Sequence, residues 1–295
     1  MSTMTKTNAT HIILGAGGHV GSAVADNLLR MREKVLVILH NAEKAATWQQ
    51  KGAQVEIADV ANTGLLQTIF NKGDRLFLLN PPARPSTNTV VEEQKTMQSI
   101  LWALKGSGIK KVVAESTYGA QAGKGIGDLS ILYEMEKALE ETKFVSTIIR
   151  AAYYMSNWDM AFDTAKQSGV VHTLYPVDFI LPMVAPVDIG QIAAGLMVGP
   201  PENGGLYYVE GPARYSAADV AAAYARALGK PVKAVATPRE HWVSSLEQTG
   251  FSTIAAKSMA AMTHIVLQGM YTTGEPVRGI TSLDAYIAAR IPHLP

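Results

Sequence analysis

The stretch His11-Ile-Ile-Leu-Gly-Ala-Gly-Gly-His-Val-Gly21 joins a short apolar run to three glycines spaced three residues apart, at positions 15, 18 and 21. A strand that ends in glycine can turn sharply and bring its backbone close to a phosphate. The helix that follows offers free amides and a dipole to the anion. Apolar residues then recur at helical spacing from Val20 onward. The segment therefore predicts a dinucleotide-binding turn whose contacting residues are Gly15, Gly17, Gly18, His19, Val20 and Gly21.

Apolar strand-type runs alternate with helical patterns through the first half of the chain. The predicted strands are 11–14, 34–39, 53–57, 75–79, 110–114 and 144–149. The predicted helices are 19–31, 42–51, 63–70, 89–107 and 127–141. Near-continuous apolar strands are buried on both faces, so the pattern predicts an α/β fold of Rossmann type with a doubly wound parallel sheet. Ligands bind such sheets at the carboxyl ends of the strands.

The second half is less regular because prolines break it into shorter pieces. The helices predicted there are 187–198, 216–228, 238–248, 253–268 and 281–290, with short strands near 206–210 and 232–236. We expect residues 8–155 to form an NAD(P)-binding Rossmann domain. Residues 156–295 are then a smaller α/β substrate-binding lobe packed on the end of the sheet, and some of its strands can join that sheet.

Composition excludes several classes of function. The formal net charge is +1 and the basic residues are scattered, which argues against nucleic acid and membrane surfaces as partners. The chain has no cysteine, so any redox chemistry requires a bound cofactor. The seven histidines are isolated from one another, and we expect no metal site. With no apolar segment of bilayer length and a polar N-terminus, we expect a cytoplasmic protein.

The end of the second strand predicts the choice of cofactor. His40 and Asn41 stand where NAD-binding proteins place an acidic residue, and Lys44 follows one helical turn later. A lysine there can pair with a 2′-phosphate, with His40 as a further donor, which favours NADP(H) over NAD(H). Alternatively, Lys44 is an ordinary solvated residue of the first turn. Asp59, after the third strand, either accepts a hydrogen bond from adenine or caps a helix.

The fourth strand is followed by Asn80, Pro81 and Pro82. Two prolines make a rigid loop, which can flank the nicotinamide ribose. A plain strand-terminating loop explains the same residues.

Tyr133 and Lys137 form the chain's only Tyr-x-x-x-Lys motif. Four residues apart, both side chains lie on one helix face, so the ammonium can lower the pKa of the phenol and hold the nicotinamide ribose while the phenol acts as a general acid. Ser116 lies just after the predicted fifth strand, where its hydroxyl can polarise a substrate carbonyl. Alternatively, Tyr133 is a packed or surface helix residue without a catalytic role.

The chain resembles the NmrA-like atypical short-chain dehydrogenases. The motifs that carry the resemblance are the glycine turn (residues 15–21), Ala42-Glu43-Lys44-Ala45, Leu78-Leu79-Asn80-Pro81-Pro82, Glu136-Lys137-Ala138-Leu139, Ile148-Ile149-Arg150 and Val187-Asp188-Ile189-Gly190. The resemblance implies a Rossmann fold, a preference for NADP(H) and a substrate cleft between two lobes. The family contains NAD(P)H-dependent quinone and azo reductases and also co-regulators that bind the dinucleotide without turning it over. It often has arginine where this chain has His40, and many members lack the tyrosine of the Tyr-x-x-x-Lys motif.

An aromatic-rich stretch follows Arg150, at the predicted boundary between the Rossmann domain and the second lobe. Tyr153, Tyr154 and Trp158 can stack on a flat acceptor such as a quinone, or they are core packing between the lobes. Asn157 is the polar residue that we expect beside the substrate. The predicted acceptor site is Tyr153, Asn157 and Trp158.

Three functions are compatible with these residues. The leading hypothesis is an NAD(P)H-dependent oxidoreductase that transfers hydride to a small aromatic or quinone-like acceptor, with Tyr133, Lys137 and Ser116 as catalytic residues. A second is a non-catalytic NAD(P)-binding redox sensor that acts through a protein partner. A third is a sugar-nucleotide epimerase that uses the tyrosine–lysine pair. In each case we expect a monomer or a homodimer.

Overall fold

The structure is a computed structural model that describes residues 9–142, 144–269 and 274–291. Residue 8, where the predicted first domain begins, and residues 292–295, where the second ends, lie outside these ranges.

Thirteen strands are present in the described ranges, and eight of them form one parallel sheet in the order β13-β10-β6-β5-β4-β1-β2-β3. In chain order the strands are β1 (Thr10–Leu14), β2 (Lys34–Leu39), β3 (Gln54–Ile57), β4 (Arg75–Leu78), β5 (Lys111–Thr117), β6 (Val145–Ala151), β7 (Tyr153–Tyr154), β8 (Val170–Thr173), β9 (Leu181–Val184), β10 (Gly205–Glu210), β11 (Arg214–Tyr215), β12 (Lys233–Ala236) and β13 (Val277–Arg278).

The α-helices are, in chain order, α1 (His19–Arg30), α2 (Ala45–Gln50), α3 (Thr63–Phe70), α4 (Thr89–Lys105), α5 (Asp128–Glu140), α6 (Phe162–Ser168), α7 (Pro186–Val198), α8 (Ala217–Leu228), α9 (Trp242–Gln248), α10 (Thr253–Leu267) and α11 (Leu283–Arg290). Short 3₁₀ segments at Met155–Ala161 and Arg239–His241 precede α6 and α9.

Helices cover both faces of the main sheet, which confirms the predicted doubly wound α/β fold. One face packs against α1, α2 and α7, and the other packs against α3, α4 and α5. Helix α7 packs closely against α1 at Gly190. A Cβ at that position would lie only 2.4 Å from the Cβ of Ala23, so the contact requires glycine. The apolar strands are continuous in sequence because both of their faces are buried, as Ile12 and Ile13 of β1 show.

Strand order reverses between β1 and β4, since β2 and β3 lie on one side of β1 and β4 lies on the other. A crevice for a ligand opens at such a reversal, outside the carboxyl ends of the strands. We call the rim that these carboxyl ends form the carboxyl edge. The glycine turn follows β1 at this edge, and the loop that begins at Leu79 follows β4.

The second half of the chain contributes to both parts of the fold. Strands β10 and β13 extend the main sheet, and helix α7 packs on one of its faces. Some strands of the second half were expected from the sequence to join this sheet. The other elements form a smaller lobe with its own core, in which α6, α8 and α11 pack on β8, β9 and the first 3₁₀ segment. Two small sheets complete this lobe: β11-β9-β7 and β12-β8.

Most predicted elements are confirmed, with small shifts at their ends. Helix α2 begins at Ala45 rather than at residue 42, because the side chain of Asn41 accepts the backbone N–H of Glu43 and holds a turn there. The sequence did not indicate α6 or the strands β7, β8, β9, β11 and β13. These strands have two to four residues, too few to show a period.

Within the described ranges, no helix is long and apolar enough to cross a membrane. The same residues contain no group of three or more His, Cys, Asp or Glu that could hold a metal ion.

Candidate functional site at the carboxyl edge

Backbone geometry shapes the glycine turn. Gly15 has φ +80°, a left-handed conformation that favours glycine, and its carbonyl oxygen accepts the N–H of Gly18 at 3.0 Å. Gly21 lies where α1 touches the turn, and a Cβ there would come within 2.3 Å of the carbonyl oxygen of Gly15. Gly17 faces open space. The turn therefore needs glycine at its start and at its helix contact, and it leaves room for a ligand above Gly17.

The first turn of α1 is free to bind an anion. Gly18 is its N-cap, no side chain caps it, and no acidic residue lies in the first turn. Val20 is buried and anchors the helix, whereas His19 is exposed. Partial burial and then the charge of Arg290 lower the pKa of His19, against the opposing charge of Asp159. Helix α11 of the smaller lobe therefore places Arg290, paired with Asp159 at 3.0 Å, near the glycine turn.

Lys44 lies against the glycine turn, although the sequence separates them by a strand and a helix. Its Nζ donates to the carbonyl oxygen of Gly17 at 2.7 Å. Both His40 and Asn41 are exposed next to it. An ammonium held beside the phosphate turn is suitably placed for an anionic group on the adenosine ribose.

Asp59 serves its own loop. Its Oδ1 accepts the N–H of Ala61 at 2.9 Å, while Asn62 is the N-cap of α3. The carboxylate is exposed and holds a turn of its own loop, so Asp59 does not cap α3, and its contact with adenine stays a prediction.

The loop after β4 is fixed to α4 by its own side chains. Asn80 donates from Nδ2 to the carbonyl oxygen of Glu93 at 3.0 Å and accepts from Thr96 at 2.9 Å. The carboxylate of Glu93 accepts the N–H of Ala83 at 2.9 Å. This loop, which contains Pro81 and Pro82, is therefore a rigid wall of the crevice, and the amide of Asn80 is used in holding it.

Glu93 is itself unusual, because it is buried and hydrogen-bonded to Asp128 at the start of α5. Burial, and next the neighbouring Asp128, raise the pKa of Glu93 to about 9. No pattern in the sequence predicts this pair, because its members lie on different helices.

Tyr133 and Lys137 do share one face of α5, as their spacing predicts. The Nζ of Lys137 lies 5.6 Å from the ring centroid of Tyr133 and donates to Glu140 at 2.7 Å, with half of the lysine side chain exposed. Both residues line a hollow with Ser146 and Leu206, which lie near the amino ends of β6 and β10. The structure therefore does not bring Lys137 to the glycine turn, and the catalytic roles of the pair stay predictions without support from the geometry.

Ser116 is buried beneath α5, and its hydroxyl already has a hydrogen-bond partner. Its hydroxyl donates to Glu136, which also binds Arg150 through two hydrogen bonds of 2.9 and 2.6 Å. Arg150 in turn donates to the hydroxyl of Tyr208 at 3.2 Å. This network links α5 to β5, β6 and β10. Because the hydroxyl of Ser116 donates to Glu136, it is not directed at a substrate.

The aromatic stretch after β6 is divided between the lobe core and the surface. Trp158 is buried in the core of the smaller lobe, 5.9 Å from the ring of Tyr153. Tyr153 also packs edge-on against Tyr175 at 6.0 Å, and burial raises its pKa to about 12 even though the exposed Asn157 hydrogen-bonds it. For Trp158 and Tyr153 the structure shows the packing alternative, and of the three predicted acceptor residues only Asn157 is exposed.

One pair at the carboxyl edge was missed by the prediction of site residues. Glu115, near the end of β5, is 4% exposed and accepts the hydroxyl of Tyr154, which follows β6. Its other oxygen, Oε2, is buried without a partner among the described residues. Burial raises the pKa of Glu115 to about 7. The sequence held two signals for Glu115: it directly follows the apolar run Val112-Val113-Ala114, and it lies at the carboxyl end of a predicted strand, where ligands bind such sheets.

Comparisons with known proteins agree with this architecture. The model of the NmrA-like family matches residues 7–294. The chain is 23% identical over 256 residues to an NAD(P)H azoreductase of Xenophilus azovorans, covering 84% of each protein. It is 26% identical over 281 residues to a nitrogen metabolite regulation-like protein of Gibberella fujikuroi, covering 84% of this chain and 83% of the relative.

A solved structure shares the fold over nearly its whole length. The NADPH-dependent quinone oxidoreductase of Escherichia coli, in complex with NADPH, superimposes with a TM-score of 0.77 at 21% identity. The match covers 97% of this chain and 99% of that one.

Proposed function

The chain belongs to the NmrA-like family, and from this premise we propose that it is an NAD(P)H-dependent reductase that transfers hydride to a small aromatic or quinone-like acceptor. The observation that carries the proposal is the glycine turn with Lys44 held against it. The azoreductase and the quinone oxidoreductase described above support an oxidoreductase that uses a nicotinamide cofactor.

The residues present fit a dinucleotide. Gly15 and Gly21 allow the close approach of turn and helix, and the uncapped first turn of α1 offers backbone N–H groups to the pyrophosphate. Lys44 supports a preference for NADP(H), because its ammonium can move from the carbonyl of Gly17 to a 2′-phosphate at little cost. When bound, the reduced nicotinamide supplies a hydride. The protein orients the nicotinamide and the acceptor relative to each other and excludes water.

A flat acceptor is supported by the surroundings of the crevice. The rigid loop after β4 forms one wall, and the partly exposed Tyr154 lies just after β6, where the smaller lobe begins. Aromatic rings at the rim of a crevice stack on planar ligands.

The test is turnover. Purified protein is mixed with NADPH or NADH and with a panel of quinones, azo dyes and aromatic aldehydes, and cofactor oxidation is followed by absorbance at 340 nm. We expect oxidation with at least one class and a higher kcat/KM with NADPH than with NADH. Cofactor binding without turnover of any acceptor would contradict the proposed activity.

That outcome would favour a second function, a dinucleotide-binding sensor. The relative named as a nitrogen metabolite regulation-like protein, similar over most of its length, is the observation in its favour. The epimerase alternative depends on Tyr133 and Lys137, and their position on α5 gives it no support.

A further inference from the structure

Glu115 and Tyr154 stand together at the carboxyl edge, on the acceptor side of the crevice. They come from neighbouring strands: Glu115 lies near the end of β5, and Tyr154 follows β6, whose Ala151 pairs with Thr117. Strand β5 is next to β4, and β4 borders the point where strand order reverses. The pair therefore lies along the same edge as the glycine turn, on the side where the nicotinamide end of a dinucleotide is expected.

Within the described ranges, Glu115 has no cationic partner, in contrast to two other buried glutamates of the main sheet, Glu136 and Glu210. Glu93 of α4, bound to Asp128, resembles Glu115 in this respect. Glu136 is bound by Arg150, and Glu210 is bound by Arg214 and Arg278. The only hydrogen-bond partner shown for Glu115 is a phenol, and its Oε2 has none among the described residues. A buried carboxylate without a cation is costly, so this carboxyl group holds a proton more readily than an ordinary glutamate. A structural role would be served better by an arginine partner or by an apolar side chain.

Exposure divides the two residues into different roles. Glu115 is enclosed, whereas Tyr154 is partly exposed at the carboxyl edge. Only Tyr154 can therefore touch a bound acceptor, and Glu115 can act only through the hydroxyl that it contacts.

We propose that Tyr154 is the catalytic proton donor to the acceptor and that Glu115 is the buried acid that resupplies its proton. This inference rests on the proposed reductase function. The hydride brings two electrons and one hydrogen nucleus from NAD(P)H to a quinone, which becomes the hydroquinone anion. The anionic oxygen takes the proton of Tyr154, the phenol oxygen takes the proton of Glu115, and Glu115 is left as a carboxylate. After the product leaves, the carboxylate regains a proton from solvent through the hydroxyl of Tyr154.

Burial is the main cause that raises the pKa of Tyr154. The negative charge and hydrogen bond of Glu115, and then the negative charge of Asp128 at the start of α5, act in the same direction. Glu93 of α4 hydrogen-bonds Asp128 and shares its environment. Burial, Glu115 and Asp128 each disfavour a tyrosinate, so Tyr154 keeps its proton until the acceptor becomes anionic.

The sharpest test compares two kinds of acceptor. A quinone needs a hydride and a proton, whereas a cationic triarylmethane dye needs only a hydride at its central carbon. We expect Tyr154→Phe to lower kcat for a quinone by about 100-fold and to leave kcat for the dye within about threefold. Tyr207→Phe, which removes the hydroxyl of a half-buried tyrosine in β10, is the matched control and changes neither rate. Equal loss with both acceptors would overturn the proposal, because it would mean that the ring only positions the reactants.

Glu115 is tested by pH dependence, because it acts through another residue. With a quinone, kcat of the wild type falls as the pH rises through about 7, where Glu115 loses its proton. Glu115→Gln keeps the size and the hydrogen-bonding capacity of the side chain but holds no acidic proton. We expect that variant to be slow at all pH values and to lack the inflection near 7. An unchanged pH profile would overturn the role of Glu115.

A spectroscopic readout needs no turnover. In infrared spectra of the protein alone, a carboxylic acid C=O band should disappear as the pH is raised through about 7, and this band should be missing from Glu115→Gln. If wild-type protein oxidises NADPH with quinones but Tyr154→Phe is equally fast, the proton-donor assignment fails while the reductase function stands. If no acceptor is turned over at all, the proposed function fails, and the proton-donor role fails with it.

Discussion

The two halves of the carboxyl edge are built in different ways. The cofactor half is made of backbone: Gly15 and Gly21 allow a turn that no other residues fit, and Lys44 closes it through a main-chain carbonyl. The acceptor half is made of side chains that meet across strands, chiefly Glu115 and Tyr154. The backbone requirements of a turn appear in the sequence as a local spacing of glycines, which can be recognised. The acid–base properties of a side chain depend on burial and on partners far along the chain, which a local pattern does not contain.

The largest effect is expected from breaking the cofactor half alone. Gly21→Val places a Cβ within 2.3 Å of the carbonyl oxygen of Gly15, so the turn or α1 must move. We expect NADPH affinity, measured by the change in its fluorescence on binding, to fall by roughly 100-fold, which corresponds to about 2.7 kcal/mol. Gly195→Ala is the control, since it adds a methyl group in open space on α7. If the halves are independent, the infrared band of Glu115 stays in place in Gly21→Val.

The next effect separates the two cofactors within that half. Lys44→Met removes the ammonium beside Gly17 but keeps an unbranched side chain of similar length. We expect the Kd for NADPH to rise about tenfold, the loss of one charge-assisted hydrogen bond, with the Kd for NADH within twofold. Lys105→Met, at the far end of α4, is the control, and calorimetric titration gives both constants. Equal weakening of NADPH and NADH would assign Lys44 to the pyrophosphate or to folding rather than to a 2′-phosphate.

The third prediction concerns the free energy of unfolding and its dependence on the buried acid Glu93, near the acceptor half. Glu93 has a pKa of about 9 in the folded chain, above its usual 4.5, so the folded state retains a proton that the unfolded chain releases. Its contribution to stability is therefore complete below about pH 4.5 and is lost as the pH rises through about 9. In Glu93→Gln the side chain can still accept from Ala83 and donate to Asp128.

We accordingly expect Glu93→Gln to be more stable than the wild type by about 1–3 kcal/mol at high pH, with the difference shrinking to nothing in acid. Thermal unfolding at a series of pH values measures it. Glu92→Gln, which alters an exposed neighbour paired with Lys95, should show a small difference that does not grow with pH. A gain that is constant across pH would mean that Glu93 is not the proton-holding group.

The sequence predicted the parts of the fold that repeat a local rule. Strands β1, β2 and β4 are buried and largely apolar, and α1 follows the glycine spacing of a phosphate-binding turn, so these elements were identifiable. Strands β7 and β13 have two residues each, and their pairing depends on tertiary contacts. Lys44 donates to the carbonyl oxygen of Gly17, a contact that the sequence did not predict, and its role towards a 2′-phosphate stays a prediction.

The candidate acid–base residues show the opposite result, for an equally physical reason. The Tyr-x-x-x-Lys spacing correctly placed Tyr133 and Lys137 on one helix face. Spacing cannot say which way that face points, and it points to the amino ends of β6 and β10. Glu115 has no partner within its own segment of chain, so no motif search would connect it with Tyr154, 39 residues later.

The smallest expected effect is the one that tests this contrast most directly. Lys137→Met should leave kcat and KM within about twofold, because the ammonium is exposed, pairs with Glu140 and lies away from the crevice. Tyr133→Phe should behave in the same way, and both variants should melt within about 1 °C of the wild type. Steady-state kinetics with NADPH and a quinone measures both variants alongside Tyr154→Phe. A 100-fold loss in Tyr133→Phe with full activity in Tyr154→Phe would assign acid catalysis to α5, and would require α5 to turn towards the carboxyl edge when the acceptor binds.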